Sequence, residues 1–265
     1  MNVSIKREQS ELVCSAEQEK GRTKSNAIIT GSNRGIGKSL IETFAGAGYN
    51  IWACARKATS GYEAWLKNIA ELNGVWIKPV YFELTDTEAL IAGVQSIIDE
   101  GQTIDVLVNN AGISAVGLLS MSRVDDIETL FEVNFFAMLR IIQKVSKKMS
   151  RQRKGCIINM GSNAGIDPQP GKIAYGSSKA AVMMMTKCLA KELGPMGIRV
   201  NAIAPGPVET EMIHQYKDEV LKNLVSESAL RRLGKTEEIA QVALFLASEQ
   251  ASYINGEIIK VDGGR

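Results

Sequence analysis

Short apolar runs alternate with longer amphipathic segments along this chain of 265 residues, from Asn26 to its end. The runs are predicted to be strands and lie at 26–30, 49–56, 76–84, 104–112, 155–162, 198–206 and 256–264. The segments between them are predicted to be helices and lie at 35–48, 62–74, 85–101, 124–151, 172–194 and 236–250. Such alternation predicts right-handed crossovers and a parallel sheet, so the fold class is α/β.

A single domain is expected, because no low-complexity linker divides the chain. Residues 1–24 are mostly polar and are interpreted as a loose extension outside a folded domain at 25–265. Pro79, inside the third apolar run, indicates a bulge or an edge strand, since proline cannot donate to a strand ladder.

Composition excludes several classes of function. The 31 basic and 29 acidic residues leave a net charge of +2, which gives no sign of a nucleic-acid surface. No apolar stretch reaches the roughly 18 residues of a membrane-spanning helix. The four cysteines are widely spaced, which favours free thiols in a reducing cytoplasm. His214 is the one histidine, so a His-rich metal site is excluded and no metal is expected.

The segment TGSNRGIG, at 30–37, joins the first strand to the first helix and carries Gly31, Gly35 and Gly37. Glycines let a backbone turn tightly and approach a pyrophosphate closely, and a helix N-terminus presents free N–H groups to that anion. The spacing differs from the commoner G-x-G-x-x-G fingerprint, and any tight turn favours glycine, so an ordinary structural turn is the alternative.

Two arginines indicate which dinucleotide would bind. Enzymes that use NAD place an acidic residue at the end of the second strand, but here Ala55 occupies that position and Arg56 follows. Arg34 lies in the glycine turn itself. Two guanidinium groups suit a ribose 2′-phosphate, so NADP(H) is predicted over NAD(H). The alternative is a pair of solvated surface arginines.

Tyr175 and Lys179 stand out in the small and apolar stretch AYGSSKAAVMMM, at 174–185. Residues four apart share one face of a helix, so an ammonium would lie beside the phenol and favour its ionised form. Such a pair suits general acid–base work, although a tyrosine on a helix is more often a packing residue. The apolar run Val182–Met185 covers more than one face, which makes both sheet and partner contacts plausible.

Further motifs follow in order. NNAG lies at 109–112, Ser162 lies in NMGSNAG thirteen residues before Tyr175, and PGPVET lies at 205–210. Together with the glycine turn they resemble the short-chain dehydrogenase/reductase family over about residues 24–265. The resemblance implies a Rossmann-type sheet of seven parallel strands in the order 3-2-1-4-5-6-7, with helices on both faces. It also implies nicotinamide-dependent chemistry on an alcohol–carbonyl pair and, usually, a homotetramer.

The resemblance assigns roles to individual residues. The catalytic set is Asn134, Ser162, Tyr175 and Lys179, with Asn134 holding a water that links Lys179 to solvent. The cofactor set is Gly31, Asn33, Arg34, Gly35, Ile36, Gly37, Arg56, Glu83, Leu84, Asn109, Ala111, Gly112, Tyr175, Lys179, Pro205, Gly206, Val208 and Thr210. Glu83 departs from the aspartate common in the family, which places its adenine contact in doubt.

The substrate is less constrained. Residues 207–235 are expected to cover the pocket, with Met212 and His214 beside Ser162 and Tyr175 as substrate contacts. The alternative for His214 is a histidine on the outer surface of this segment. The subgroup most similar is the 3-oxoacyl-[acyl-carrier-protein] reductases, which dock an acyl carrier protein on basic residues beside the site. The basic cluster at 147–155 would serve, or is a solvated helix end, and Met196 stands where the subgroup often has a basic residue. Sugar, polyol or small-alcohol dehydrogenases and a non-catalytic NADP sensor or scaffold are the alternatives. Retention of both Tyr175 and Lys179 argues against the last.

Overall fold

The computed structural model describes residues 24–211, 213 and 218–265. The strands are β1 (Asn26–Thr30), β2 (Asn50–Ala55), β3 (Ile77–Tyr81), β4 (Val106–Asn109), β5 (Gly155–Met160), β6 (Ile198–Pro205) and β7 (Ile258–Val261). The helices are α1 (Gly35–Gly46), α2 (Ser60–Asn73), α3 (Thr87–Asp99), α4 (Val124–Phe131), α5 (Ala137–Gln152), α6 (Ile173–Leu193), α7 (Asp218–Glu227) and α8 (Thr236–Ala247).

All seven strands form one parallel sheet in the order β3-β2-β1-β4-β5-β6-β7. Successive side chains of a strand point to opposite faces, so Ile29 joins one apolar core and Ile28 the other. The first core packs α1, α2 and α8 on the sheet, and the second packs α3, α5 and α6. The predicted fold class and strand order are therefore confirmed.

Local signals explain where several helices begin and end. The Thr59 hydroxyl accepts a hydrogen bond from the Tyr62 N–H at the start of α2, and Gly74 ends that helix with φ of 61°. The Asp86 carboxylate caps α3 by accepting from the Ala89 N–H at 3.0 Å.

Two details differ from the sequence-based expectation, and a third agrees with it. The third strand ends at Tyr81, so Glu83 and Leu84 lie beyond it. Pro79 lies on the edge strand of the sheet, which confirms one of its two predicted places. The predicted helix 124–151 is α4 and α5 joined by a π-helical turn at Glu132–Phe136.

The limits of the domain stay a prediction, because residues 1–23 are outside the described part of the chain. No helix within that part combines the length and apolar composition needed to cross a bilayer. Cys54, Cys156 and Cys188 are free thiols.

Candidate active site

The predicted site residues gather at one edge of the sheet. In a parallel sheet the carboxyl ends of all strands meet at the same edge, and ligands bind where the strand order reverses. Here the reversal lies between β1 and β4, which are neighbours in the sheet. The segments that follow β1, β4, β5 and β6 carry the glycine turn, NNAG, Ser162 and PGPVET, so all four predicted motifs come together.

The glycine turn lies directly against the NNAG segment. Gly31 has φ of 64°, and a β-carbon built on it would lie 2.8 Å from the Ala111 Cα. A β-carbon on Gly37 would overlap the carbonyl oxygen of Gly31 and lie 2.8 Å from the Asn110 Nδ2. Larger residues at these positions would push the two segments apart, so the glycines are needed for this close approach.

Thr30 and Asn110 hold the same turn in place, and neither was singled out from the sequence. The Thr30 hydroxyl oxygen accepts hydrogen bonds from the N–H groups of Asn110 and Ala111, each at 3.0 Å. The Asn110 amide donates at 3.1 Å to the carbonyls of Thr30 and Gly31. In the sequence, only the second asparagine of NNAG indicated such a contact, because an amide side chain needs hydrogen-bond partners. Those partners lie about 80 residues away in the chain.

The start of α1 fits an anionic ligand. Its N-cap residue Arg34 makes no side-chain hydrogen bond to the helix, and its first turn contains no acidic residue. The first N–H groups of a helix lack partners within the helix, so they favour an anion. Thr210, from the segment after β6, lies beside the turn: its Cγ2 would be 3.3 Å from a β-carbon on Gly35. A dinucleotide with its pyrophosphate at α1 therefore fits the residues present.

The two arginines flank this turn and each faces a carboxylate. Arg34 lies 3.4 Å from Glu211, and Arg56 lies 3.8 Å from Glu83. The arginine side chains are 61% and 70% exposed, so both pairs are weak. Glu83 also accepts a hydrogen bond from the Leu84 N–H at 2.9 Å, so this carboxylate points toward its own backbone and Arg56.

Ser162 and the start of α6 meet through close packing. A β-carbon on Gly176 would lie 2.5 Å from the carbonyl oxygen of Ala164, so only glycine lets α6 approach the Ser162 turn this closely. The half-buried Ser162 hydroxyl oxygen accepts a hydrogen bond from the Ala164 N–H at 3.2 Å. A hydroxyl that accepts in this way keeps its own hydrogen for donation to another oxygen.

Lys179 is buried behind Tyr175. Its side chain follows Tyr175 by one helical turn, and its Nζ lies 5.9 Å from the centre of the Tyr175 ring. The ammonium donates a hydrogen bond to the Met160 carbonyl at 2.7 Å, at the end of β5. Burial lowers the pKa of Lys179 to about 8, because a charged group in the interior loses its hydration.

Asn134 lies in the π-helical turn and is fully buried. Its Oδ1 accepts from the Ile113 N–H at 2.9 Å, and its Nδ2 donates to the Ile113 carbonyl at 2.9 Å and to the Ser178 Oγ at 3.1 Å. Ser178 in turn donates to the Tyr175 carbonyl at 2.8 Å. The side-chain amide therefore ties the strand-four loop to α6, and the water expected at Asn134 stays a prediction. Ser178 was not singled out from the sequence as a contact of this kind.

Asn109 supports the central strands. Its Nδ2 donates to the Asn159 Oδ1 at 2.9 Å, which joins the ends of β4 and β5. Asn159 donates onward to the Thr186 hydroxyl on α6 at 2.9 Å. The Asn109 Oδ1 is buried and has no hydrogen-bond partner among the described residues. Its expected contact on the adenosine side stays a prediction.

The remaining predicted residues fall in several places. Those in or next to the glycine turn or the strand ends are Asn33, Ile36, Ala111, Gly112, Pro205, Gly206 and Val208. Gly112 faces the catalytic group, since a β-carbon there would lie 3.4 Å from the Lys179 Nζ. Leu84 packs instead against the core on the α3 face. Met212 and His214 lie outside the described residues.

The basic cluster at 147–155 does not lie beside the site of its own chain. It spans the end of α5 and the start of β5, and Ser162 follows the far end of that strand. Six residues of strand separate these ends by about 20 Å. The expectation that this cluster lies next to the site is wrong within one chain, because a parallel strand begins and ends at opposite edges of the sheet.

No group of three or more His, Cys, Asp or Glu side chains in the described ranges is placed to hold a metal ion.

Comparisons with known proteins agree with this geometry. The family model described as enoyl-(acyl carrier protein) reductase matches residues 31–265. A 3-oxoacyl-[acyl-carrier-protein] reductase of Thermotoga maritima is 38% identical over 237 residues, which are 89% of this chain and 96% of that protein. Two solved structures are also similar.

A 3-oxoacyl-[acyl-carrier protein] reductase of Brucella melitensis with bound NAD has a TM-score of 0.82 at 32% identity, covering 92% of this chain and 91% of its own. YwfH, an NADPH-dependent reductase involved in bacilysin biosynthesis, has a TM-score of 0.86 at 26% identity, covering 91% and 98%. The sheet order, the family model and the identity to the Thermotoga protein all agree, and this chain therefore belongs to the short-chain dehydrogenase/reductase family of nicotinamide-dependent oxidoreductases.

Proposed function

We propose that this chain is an NADPH-dependent carbonyl reductase whose substrates are 3-oxoacyl thioesters, including those carried on acyl carrier protein. One observation carries the reaction class: Tyr175, with Lys179 one helical turn behind it and the Ser162 turn packed on the start of α6, lies at the sheet edge that also holds the glycine turn. That arrangement offers a proton donor next to a dinucleotide site.

The cofactor would lie with its pyrophosphate at the N–H groups that begin α1, next to the glycine turn. When bound, NADPH supplies the hydride that reduces the carbonyl carbon. Arg34 and Arg56 would bind the ribose 2′-phosphate. This phosphate carries more negative charge than the carboxylates of Glu211 and Glu83, with which the two arginines now pair. Gly112, Pro205, Gly206, Val208 and Thr210 are proposed to line the nicotinamide end.

Tyr175 is the residue that would transfer the proton. Its hydroxyl would donate a proton to the substrate oxygen during reduction and would take it back during alcohol oxidation. A tyrosine has an ordinary pKa of about 10, so the Lys179 ammonium is needed to favour the phenolate. Ser162 would donate a hydrogen bond to the same oxygen, which stabilises the negative charge that develops there.

Apolar side chains near the site support an acyl substrate. Four such side chains are 39–58% exposed: Ile113 and Val116 on the loop after β4, Ile166 on the loop after Ser162, and Ile173 at the start of α6. Exposed apolar side chains gathered at a site favour ligands with a hydrocarbon portion. The carrier protein enters the proposal from the names of the relatives in Thermotoga and Brucella, and not from the basic cluster at 147–155.

The test is an NADPH-oxidation assay over a set of carbonyl compounds: acetoacetyl thioesters on coenzyme A and on acyl carrier protein, neutral diketones, and aldoses and ketoses. We expect the acetoacetyl thioesters to give the highest kcat/KM. Turnover of sugars alone would overturn the substrate class. NADPH binding without consumption of any of these compounds would indicate a sensor or scaffold instead.

A further inference from the structure

A second lysine lies beside the proposed catalytic tyrosine. Lys172 is the residue before α6, and its Nζ lies 5.8 Å from the centre of the Tyr175 ring. The Lys179 Nζ lies 5.9 Å from the same centre. Both ammonium groups therefore lie about 6 Å from the Tyr175 ring, at positions i−3 and i+4 relative to it.

The two lysines sit in different surroundings. Lys179 is buried and donates to the Met160 carbonyl, and its burial favours loss of its charge at mildly alkaline pH. Lys172 is only half-buried and precedes the helix, so water reaches part of its side chain. A partly solvated charge beside the tyrosine is therefore supplied by a residue outside the predicted catalytic set.

Among the described residues, three acidic groups on or beside the elements that adjoin α6 pair with other cations. Glu132, in the π-helical turn packed on α6, pairs with Arg140. Asp167, in the loop after Ser162, lies 3.9 Å from Lys260, which also pairs with Asp262 at 3.1 Å. The acidic residues of α4 are exposed, and β5 and the turn Asn163–Gly165 contain no charged side chain.

We propose that Lys172 is a positioning residue that acts through Tyr175: together with Lys179 it stabilises the phenolate and so sets the pH at which the tyrosine releases its proton. The proposal rests on the proposed acid–base role of Tyr175. During reduction the proton leaves the Tyr175 oxygen for the substrate oxygen, and the phenolate left behind faces both ammonium groups. A unit charge at this range, partly screened by water, shifts such a proton equilibrium by about 0.5 to 1 pH unit.

The direct test is the ultraviolet titration of tyrosinate in the protein without cofactor or substrate. The Tyr175 signal is obtained by subtracting the titration of Tyr175→Phe. Three other tyrosines interfere less than ordinary phenols would, because burial raises the pKa of Tyr49, Tyr62 and Tyr81, the last to about 12. We expect Lys172→Met to raise the Tyr175 midpoint by about 0.5 to 1 pH unit, and Lys172→Arg to keep the wild-type value.

A matched control is Lys187→Met, which removes the same charge from an exposed position further along α6. It is expected to leave the midpoint in place. An unmoved midpoint in Lys172→Met, or equal shifts in Lys172→Met and Lys187→Met, would overturn the proposal. The arginine variant keeps the test informative if the methionine variant fails to fold, because a midpoint raised in Lys172→Arg contradicts an effect of charge.

The titration separates this inference from the proposed function, since it needs neither turnover nor substrate. If no carbonyl compound is reduced but the midpoint moves, the substrate class fails and the Lys172 effect stands. In an active enzyme, the pH profile of kcat/KM for a neutral diketone should move with the midpoint. A KM increase in Lys172→Met confined to carboxylate-bearing substrates, with an unmoved profile, would make Lys172 an anion contact and overturn the proposal.

Discussion

Two ends of the site are built in opposite ways. At one end, which we call the catalytic end after the role proposed for Tyr175, Asn134, Ser178 and Lys179 are buried, and their hydrogen bonds measure 2.7 to 3.1 Å. At the arginine end, Arg34 and Arg56 are exposed and lie 3.4 and 3.8 Å from single carboxylates. Buried polar groups are costly to leave unpaired, whereas exposed ion pairs contribute only about 0 to 1 kcal/mol.

The difference separates what the protein fixes from what a ligand would decide. The catalytic end is held together by hydrogen bonds among its own residues. The arginine end has weak pairs, which a phosphate with more negative charge would displace at little cost. Substitutions should therefore change stability strongly at the first end, and should change mainly cofactor choice at the second.

Asn134→Ala tests the catalytic end most severely. The substitution removes the hydrogen bonds of the Asn134 amide to the N–H and carbonyl of Ile113 and to the Ser178 hydroxyl. We therefore expect the free energy of unfolding to fall by about 3 kcal/mol or more. Denaturant unfolding measures it. Asn68→Ala is the control, because that asparagine is exposed on α2. Equal midpoints for the two variants would contradict the description of a buried network.

The titration of Lys179 should be visible in stability. The unfolded chain keeps its lysine proton up to the ordinary value of 10.5, while burial lowers the pKa of Lys179 to about 8 in the folded protein. Because the unfolded state binds more protons between these values, stability rises with pH across that window. Below about pH 8 the penalty for the buried charge is present in full.

We expect the stability of the wild type, relative to Lys179→Met, to rise by about 2 kcal/mol between about pH 7 and about pH 9.5. Unfolding in denaturant at a series of pH values gives the difference. The same series with Lys187→Met should be flat, since that lysine is exposed on the same helix. If the difference in stability between the wild type and Lys179→Met does not change with pH, burial does not destabilise the Lys179 ammonium, and the prediction is contradicted.

The arginine end should show the smallest effect on stability and a selective effect on cofactor use. Replacing Arg34 and Arg56 by alanine is expected to change the free energy of unfolding by less than about 1 kcal/mol. It should lower kcat/KM for NADPH about tenfold to a hundredfold and leave that for NADH nearly unchanged. Arg123→Ala removes an equally exposed arginine, 76% exposed, and serves as the control. A wild type that prefers NADH, or an equal loss with both cofactors, would contradict the assignment.

The architecture and the positions of the motifs could be predicted from the sequence, because both follow from short-range patterns. Alternating apolar runs predicted the parallel sheet, and the spacing of Tyr175 and Lys179 placed them on one helix face. The common edge of a parallel sheet then brought Ser162 and the glycine turn to the same place.

What the sequence did not provide are contacts between distant segments. Asn134 and Ser178 are 44 residues apart, and their hydrogen bond forms only because the π-helical turn brings the amide against α6. The bonds from Asn110 to the glycine turn depend likewise on β1 and β4 being neighbours. The basic cluster at 147–155 was misplaced for a related reason, since adjacency to β5 does not tell which end of the strand holds the site.

The central claim is that Tyr175 delivers the proton in an NADPH-dependent carbonyl reduction. The most direct measurement compares the wild type with Tyr175→Phe for NADPH binding, by fluorescence, and for turnover of an acetoacetyl thioester. Tyr253→Phe, which alters a fully exposed tyrosine, is the control. We predict a fall in kcat of about a hundredfold to ten-thousandfold for Tyr175→Phe with NADPH affinity nearly unchanged. Turnover by Tyr175→Phe equal to that of the control would contradict the account.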